Sequence, residues 1–351
     1  MKRRPSRLNS KFFFLINVLQ DIHDYHRWEQ FEPLTEGIFL QSSAQKILYE
    51  MLGQKTWLLE RGTVRSLVTK IQAKRGTFLF LPYGPLTDKL GAQDLRLFFQ
   101  DLKTMAKDEG ACFIRISPFW PETSECLALL DRLGFRKAPI HLLAETLWML
   151  PLQGQQEEQL LSDMDKKHRN LIRRAEKDGV TVEQSSSREV VERFLDLHWQ
   201  TVERHQFTPY PKAYFRSQVE LFSREDQVQV FEAWYQGHLL ASAIIMFYGK
   251  TAAYHHGASS SDPAFRKIPA SYLLQWEVIR ESLRRKCVAY NLWGIAPPQA
   301  RLDHPFYGIT HFKTGFGGSR VDLVSAHDLV VSPKYYLNWA VEKARKWRRG
   351  F

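Results

Sequence analysis

Cysteine is scarce in this 351-residue chain: there are three, Cys112, Cys126 and Cys287, an odd number with no C-x-x-C spacing. That argues against a disulfide-framed secreted scaffold and against a cysteine-ligated metal site. Reduced core residues of a cytoplasmic protein are the expectation. Long apolar runs are missing too. None approaches the roughly 18 residues of a membrane-spanning helix, so none is expected to cross a bilayer. The chain opens on Lys2-Arg3-Arg4 and turns apolar over 12–19, but no small-residue cleavage site precedes Asp21 and His23, which argues against a secretory signal. Acids are in deficit: 38 Asp and Glu face 49 Lys and Arg, for a net charge of +11. Such a surplus favours polyanionic partners, whether nucleic acid, phospholipid headgroups or pyrophosphate-bearing substrates.

What is plentiful is apolar and aromatic. Hydrophobic residues make up 44%, with 10 Trp and 23 Phe, ample for packed cores and against disorder. The length suggests two domains. One stretch, 254–316, reads as a strand into Tyr254-His255-His256-Gly257-Ala258, a helix over 271–286, a strand over 288–294, and a loop over 308–316 presenting Lys313 to a cleft. An earlier stretch repeats its order. Phe80-Leu81-Pro82-Tyr83-Gly84-Pro85 is followed by a helix over 95–107, a strand over 110–116, and Leu133-Gly134-Phe135, which matches Thr314-Gly315-Phe316. Recurrence of four features in the same order, offset by roughly 175–180 residues, predicts two copies of one α/β unit.

Residues 1–27 form a basic, apolar extension. The expected first domain is 28–152 with 325–351, and the second is 153–324, the polar Gly154-Gln155-Gln156-Glu157-Glu158 serving as crossover. Within the first, a strand is expected over 37–41, a helix over 42–52, a hairpin of 65–73 and 76–81 around Lys74-Arg75-Gly76, and a strand over 143–150. The second opens on the most charged helix of the chain, with Lys166, Lys167, His168, Arg169, Arg173, Arg174 and Lys177, closed by Gly179. Its expected buried stripe is Leu160, Met164, Leu171 and Ala175. An amphipathic basic helix ends the chain over 332–351. It could lie on an anionic membrane or pack Tyr336, Trp339 and Val341 on the first domain.

Strands, a Tyr-Gly loop, helix, strand, helix and strand, used twice, resemble the GNAT acyltransferase fold. Its single-domain members cradle the pyrophosphate of acetyl-CoA on a glycine-rich loop at a helix N-terminus. Here the loop is Arg266-Lys267-Ile268-Pro269-Ala270-Ser271 in one copy and Leu90-Gly91-Ala92-Gln93 in the other. Proline replaces the glycine in the first and the pattern is missing from the second. A double GNAT fold without that loop resembles the Fem family of peptidoglycan peptidyltransferases, over roughly 28–345. The resemblance rests on Phe39-Leu40-Gln41-Ser42, Pro82-Tyr83-Gly84-Pro85, the run from Arg169-Asn170 to Gly179-Val180, Tyr254 through Ser259, Tyr272-Leu273-Leu274-Gln275-Trp276-Glu277, and Phe312-Lys313-Thr314-Gly315-Phe316-Gly317-Gly318. The helical hairpin that some relatives insert in the second domain is not present, so the compact FemX-like form fits.

The resemblance implies transfer of an amino acid from aminoacyl-tRNA to the amine of a cell-wall precursor, UDP-linked or lipid-linked, without a cofactor or metal. The family's oxyanion-stabilising lysine falls on Lys313, and Phe312 would pack on the terminal adenosine or acyl group. Acceptor contacts fall on Tyr254 and Tyr214. Tyr210 stands where relatives have arginine, Lys46 lies near the position of a helix lysine, and Arg204 or Lys212 could supply the missing charge. Ordinary packing of an amphipathic helix accounts equally for Tyr210 and Tyr214. The Lys166, Lys167, Arg169, Arg173, Arg174, Lys177 helix is the candidate tRNA surface, or else a solvated face. His255 and His256, adjacent on a strand, are expected to point to opposite faces. Asp303-His304 permits a proton-accepting pair. Two other readings stay open: an acyltransferase using CoA or another carrier, and a non-catalytic RNA- or membrane-binding module.

Overall fold

The computed structural model describes residues 19–32, 36–74, 76–90, 93–205, 207–300, 304 and 306–349. In chain order the elements begin with β1 (Gln20–Asp21), α1 (Tyr25–Glu29), α2 (Ser43–Met51), β2 (Thr56–Arg61), β3 (Val64–Ala73), β4 (Gly76–Tyr83) and β5 (Leu86–Thr87). Then come α3 (Gln93–Asp108), β6 (Ala111–Pro118), α4 (Ser124–Arg132), β7 (Phe135–Lys137) and β8 (Thr146–Pro151). Next are α5 (Glu157–Asp163), α6 (Lys166–Asp178), β9 (Thr181–Ser185), α7 (Arg188–His205), α8 (Lys212–Ser223), β10 (Val228–Tyr235), β11 (His238–Tyr248) and β12 (Thr251–Ser259). The chain closes with α9 (Ala270–Arg284), β13 (Ala289–Gly294), α10 (Tyr307–Thr314), β14 (Ser319–Asp322), β15 (His327–Val330) and α11 (Tyr335–Arg349). These fall into two compact units: Met1–Pro33, Leu40–Leu143 and Leu323–Phe351 in one, Leu34–Phe39 and Ala144–Asp322 in the other.

The first sheet has the order β1-β2-β3-β4-β6-β15-β7, with β5 on β3, and the second β14-β8-β13-β12-β11-β10-β9. Their logic is the same. An antiparallel meander (β2-β3-β4; β10-β11-β12) passes through a helix (α3; α9) to a parallel neighbour (β6; β13). A strand from elsewhere in the chain follows, β15 beside β6 and β8 beside β13, with β7 and β14 outside. The duplication expected from the sequence is present.

Two expectations change. β8, placed in the first domain by the 28–152 boundary, pairs with β13 and β14 in the second sheet. The strand expected over 37–41 is instead a short 3-10 turn, Phe39–Gln41. Gln41 is fully buried there, and its amide accepts from Leu67 N (2.7 Å) and donates to Pro82 O (2.6 Å), bonds of a plug rather than of a strand. Ser42 then caps α2 through Gln45 N.

Packing follows the helical period. On α3, Leu95, Phe98, Phe99, Leu102 and Ala106 form one buried stripe against the first sheet. On α6 the stripe is His168, Ile172 and Ala175, with Leu171 only half-buried; Gly179 closes the helix in the left-handed region at φ 87°. On α11 the inward residues are Tyr335, Asn338 and Glu342. Glu342 and Asp328 share the buried Arg115 guanidinium, at 2.7 and 2.8 Å to Asp328 and 2.8 Å to Glu342. The three cysteines are unpaired and buried. Among the described residues no helix is long and apolar enough to cross a membrane.

Candidate active site

The two sheets differ in how far their central parallel strands stay paired. β4 and β6 stay paired from Thr77↔Ala111 to Tyr83↔Pro118. β12 and β13 pair only from Thr251↔Ala289 to Ala253↔Asn291, and then the register ends. Both strands bend at that level. In β13, Asn291 Oδ1 accepts the Trp293 N–H (2.8 Å), Trp293 sits at φ 68°, and pairing with β8 skips from Asn291 to Gly294. A non-glycine residue in the left-handed region costs of order 1–3 kcal/mol and is tolerated where the surroundings enforce it. In β12, Tyr254 faces Ile245 and His256 faces Ile244, leaving His255 as a bulge. The second sheet therefore opens into a wedge.

Lys313 enters that wedge from α10. The segment expected as a loop is a helix, Tyr307–Thr314, which neighbouring groups pin down. Thr310 Oγ1 accepts Ala296 N–H (2.9 Å), His168 Nε2 meets Phe312 O (3.0 Å), and Trp148 Nε1–H donates to Gly317 O (2.7 Å). At Gly315 a Cβ would overlap the His168 ring, so the glycine lets α6 and α10 meet. Phe312 packs on Tyr272, their rings 5.2 Å apart.

Only 4% of Lys313 is exposed. Its ammonium donates to Gly294 O at 2.7 Å, the carbonyl that the wedge leaves outside the β12 ladder, and lies 5.6 Å over the Tyr254 ring. Burial pulls its pKa from 10.5 to about 7. A buried amine held by one carbonyl and one aromatic face remains able to stabilise a negative charge placed beside it. Tyr254 is pushed up to about 12 by the same burial and stays a phenol. Its hydroxyl lies where a Cβ on Gly257 would go, so glycine makes that seat.

The bulge overturns the expectation for the paired histidines. His255 and His256 rings are 3.9 Å apart. His255 also packs against Phe39 (4.9 Å) and Trp293 (5.2 Å), and its Nε2 is 3.5 Å from the Tyr214 hydroxyl. His256 faces Phe215 (4.8 Å) and His198 (6.4 Å). Burial holds His255 down to about 3 and His256 well below the ordinary imidazole range, so both are neutral. Tyr210 stacks on Tyr214 at 4.2 Å, and Gln218 Nε2–H donates to the Tyr214 hydroxyl (3.1 Å). Arg204 reaches Ser259 Oγ (3.0 Å), and Lys212 lies over the Trp199 ring (5.0 Å). Tyr210, Tyr214, Tyr254 and Arg204 thus belong to one unit. Lys46 belongs to the other, where it pairs with Glu50 at 2.5 Å. Burial opposes the Lys46 charge, but the bond to Glu50, with Tyr25, raises its pKa. Among the described residues no group of three His, Cys, Asp or Glu is placed to hold a metal. Asp303 lies outside the described residues; the His304 ring accepts Phe306 N–H at 3.1 Å.

On α6, Lys166, Lys167, Arg173, Arg174 and Lys177 are exposed, with Arg174 3.3 Å from Asp178. Arg169 is different. Its guanidinium donates through Nη1 to Leu161 O (3.3 Å), Ser162 O (2.7 Å) and Met164 O, closing the end of α5, so that nitrogen is turned to the backbone. Sequence alone assigns no site role to His198, Gln218, Asn291 or Trp293, and counts His168 only among the charged residues of α6. A polar residue on an otherwise apolar helix face was the available signal for His198 and Gln218; the turn at Asn291 left none.

Residues 162–306 match the acetyltransferase (GNAT) domain family. The chain is 30% identical over 129 residues to the UDP-N-acetylmuramoylpentapeptide-lysine N(6)-alanyltransferase of Weissella viridescens, covering 37% of each protein. It is 22% identical to the lipid II:glycine glycyltransferase of Staphylococcus epidermidis over 81% of this chain and 84% of that one. The crystal structure of FemX superposes with a TM-score of 0.79 at 17% identity, covering 92% of this chain and 99% of that one.

Proposed function

We propose that this chain, a relative of the Fem-type transferases that uses the GNAT fold twice, moves an amino acid from aminoacyl-tRNA to an amine on the stem peptide of a peptidoglycan precursor. The observation that carries the reading is Lys313, a buried amine with no charged partner among the described residues, at the mouth of the sheet wedge. The acceptor nitrogen attacks the ester carbonyl, and negative charge collects on its oxygen. The C–N bond then forms fully, the ester C–O bond breaks, and the amine's proton leaves with the tRNA hydroxyl. The ester is already activated, so the protein's task is to align two substrates and stabilise that oxyanion. Lys313 in its ammonium form does the latter, and Phe312 supports the donor's end.

Tyr214, Tyr254 and Tyr210, with Arg204 at the rim, are the proposed acceptor contacts. Lys46, already paired with Glu50, carries no part of the proposal. The exposed bases of α6 are the proposed contacts to tRNA phosphates. An acceptor that is UDP-linked or lipid-linked places the reaction in the cytoplasm or at the inner face of its membrane. The CoA alternative is disfavoured because Pro269 caps α9 and lacks the N–H that a pyrophosphate cradle would use there. The test is incubation with bulk tRNA charged with labelled amino acids and a panel of precursors, read by mass spectrometry, with acyl-CoA as a parallel donor. Label on a precursor, dependent on charged tRNA, is expected. Transfer from acyl-CoA, or no labelled precursor, overturns the reading.

A further inference from the structure

The C-terminal helix has two faces with different partners. Its inner face is locked: Tyr335 hydroxyl donates to Asp328 (3.2 Å), Asn338 donates to Glu342 (3.0 Å), and Glu342 accepts from buried Arg115 (2.8 Å). The helix cannot roll without unpairing a buried guanidinium, so its outer face is fixed too. Along that face Tyr336, Ala340, Lys343 and Trp347 follow one helical row, and Leu337, Ala344 and Arg348 the next. Tyr336 is 50% exposed, Leu337 63% and Trp347 88%. Lys334, Arg345 and Lys346 flank the rows. Glu342 is the helix's one acid and is turned inward. Arg136, on β7, lies over the Tyr336 ring at 5.6 Å and extends the basic border.

We propose that this outer face docks on an anionic phospholipid bilayer. An apolar strip crossed and flanked by long basic side chains and ending in an exposed indole is the pattern of a helix lying in the headgroup plane. The strip enters the acyl boundary, while lysines and arginines reach back to phosphates. Leu337, Ala340 and Ala344 have no use in binding nucleic acid, whose backbone asks only for charge and stacking faces. Attraction to an anionic surface also suits a chain of net charge +11. The contact stands whether or not the chain is an aminoacyltransferase, because none of these residues belongs to the wedge.

The test is co-sedimentation of the full chain with vesicles of phosphatidylcholine alone or mixed with phosphatidylglycerol. Wild type is expected to pellet with the anionic vesicles and to stay in solution with the neutral ones. Lys343→Gln with Lys346→Gln should weaken binding roughly 25-fold, at about fivefold per basic side chain near the surface. Leu337→Ser with Trp347→Ser should lower partitioning while the melting temperature stays at the wild-type value. Equal pelleting with both vesicle types, or anionic binding that both double variants keep, overturns the proposal. So does tRNA that releases wild type from the vesicles while the serine variant still binds them.

Discussion

At the scale of single residues, the role proposed for Lys313 works against stability. Unfolding returns its pKa from about 7 to 10.5, so between those values the unfolded chain binds more protons than the folded one. Stability therefore rises with pH across that window. Below it the buried ammonium costs of order 4–5 kcal/mol, at about 1.4 kcal/mol per tenfold change in proton affinity. Lys313→Met should melt higher than wild type at pH 7, and the gap should close as pH approaches 10.5; calorimetry across that range checks it. The same group should shape activity. If the ammonium stabilises the oxyanion, its loss above about pH 7 offsets the rise that deprotonation of the acceptor amine brings up to about 10.4, so kcat/KM should climb to about pH 7 and then level off. A profile that keeps rising about tenfold per unit from pH 7 to 9 would count against Lys313 as the charged group. The identity of this lysine was legible from the Phe312-Lys313 pair. Its depressed pKa was not, because burial comes from Gly294, Tyr254 and neighbouring strands remote in sequence.

At the scale of elements, the wedge depends on how α6, α10 and β13 meet. His168 fits against Gly315 and holds Phe312 O, so adding one methyl at Gly315 strikes its ring. Gly315→Ala should lower the melting temperature and the transfer rate together. His168→Ala in the same chain should restore much of the stability, as expected for two groups in direct contact. Thermal melts of the two single variants and the double variant measure that coupling, and purely additive losses would contradict it. Most elements were readable from apolar period and punctuation, as with the α3 stripe and the glycine ending α6. The sequence reads as a loop over 308–316; Gly308, Ile309 and Thr310 are poor helix formers, and bonds from Ala296, His168 and Trp148 override that preference in α10. The bulge at His255 was equally hidden, since strand alternation assumes a regular ladder.

At the scale of the whole molecule, the duplication was legible because four features recur in order, and the two sheet topologies repeat it. That β8 and β15 each cross to complete a sheet was not, because strand pairing between distant segments leaves no local mark. The positive charge should act through α6. Replacing Lys166, Lys167, Arg173 or Lys177 by Gln should weaken tRNA binding and reduce the salt dependence of affinity by about one ion per residue. Arg169→Ala should in addition lower thermal stability, because its Nη1 closes the end of α5. A salt slope unchanged by the first set would move the tRNA surface elsewhere. The transfer itself is tested most directly by single-turnover passage of labelled amino acid from tRNA to a peptidoglycan precursor, wild type against Lys313→Met, with donor affinity measured alongside. The expected result is unchanged donor binding with a rate reduced about 10²–10³-fold. A Lys313→Met rate close to wild type, or a loss matched by lost tRNA affinity, would contradict the role assigned to Lys313.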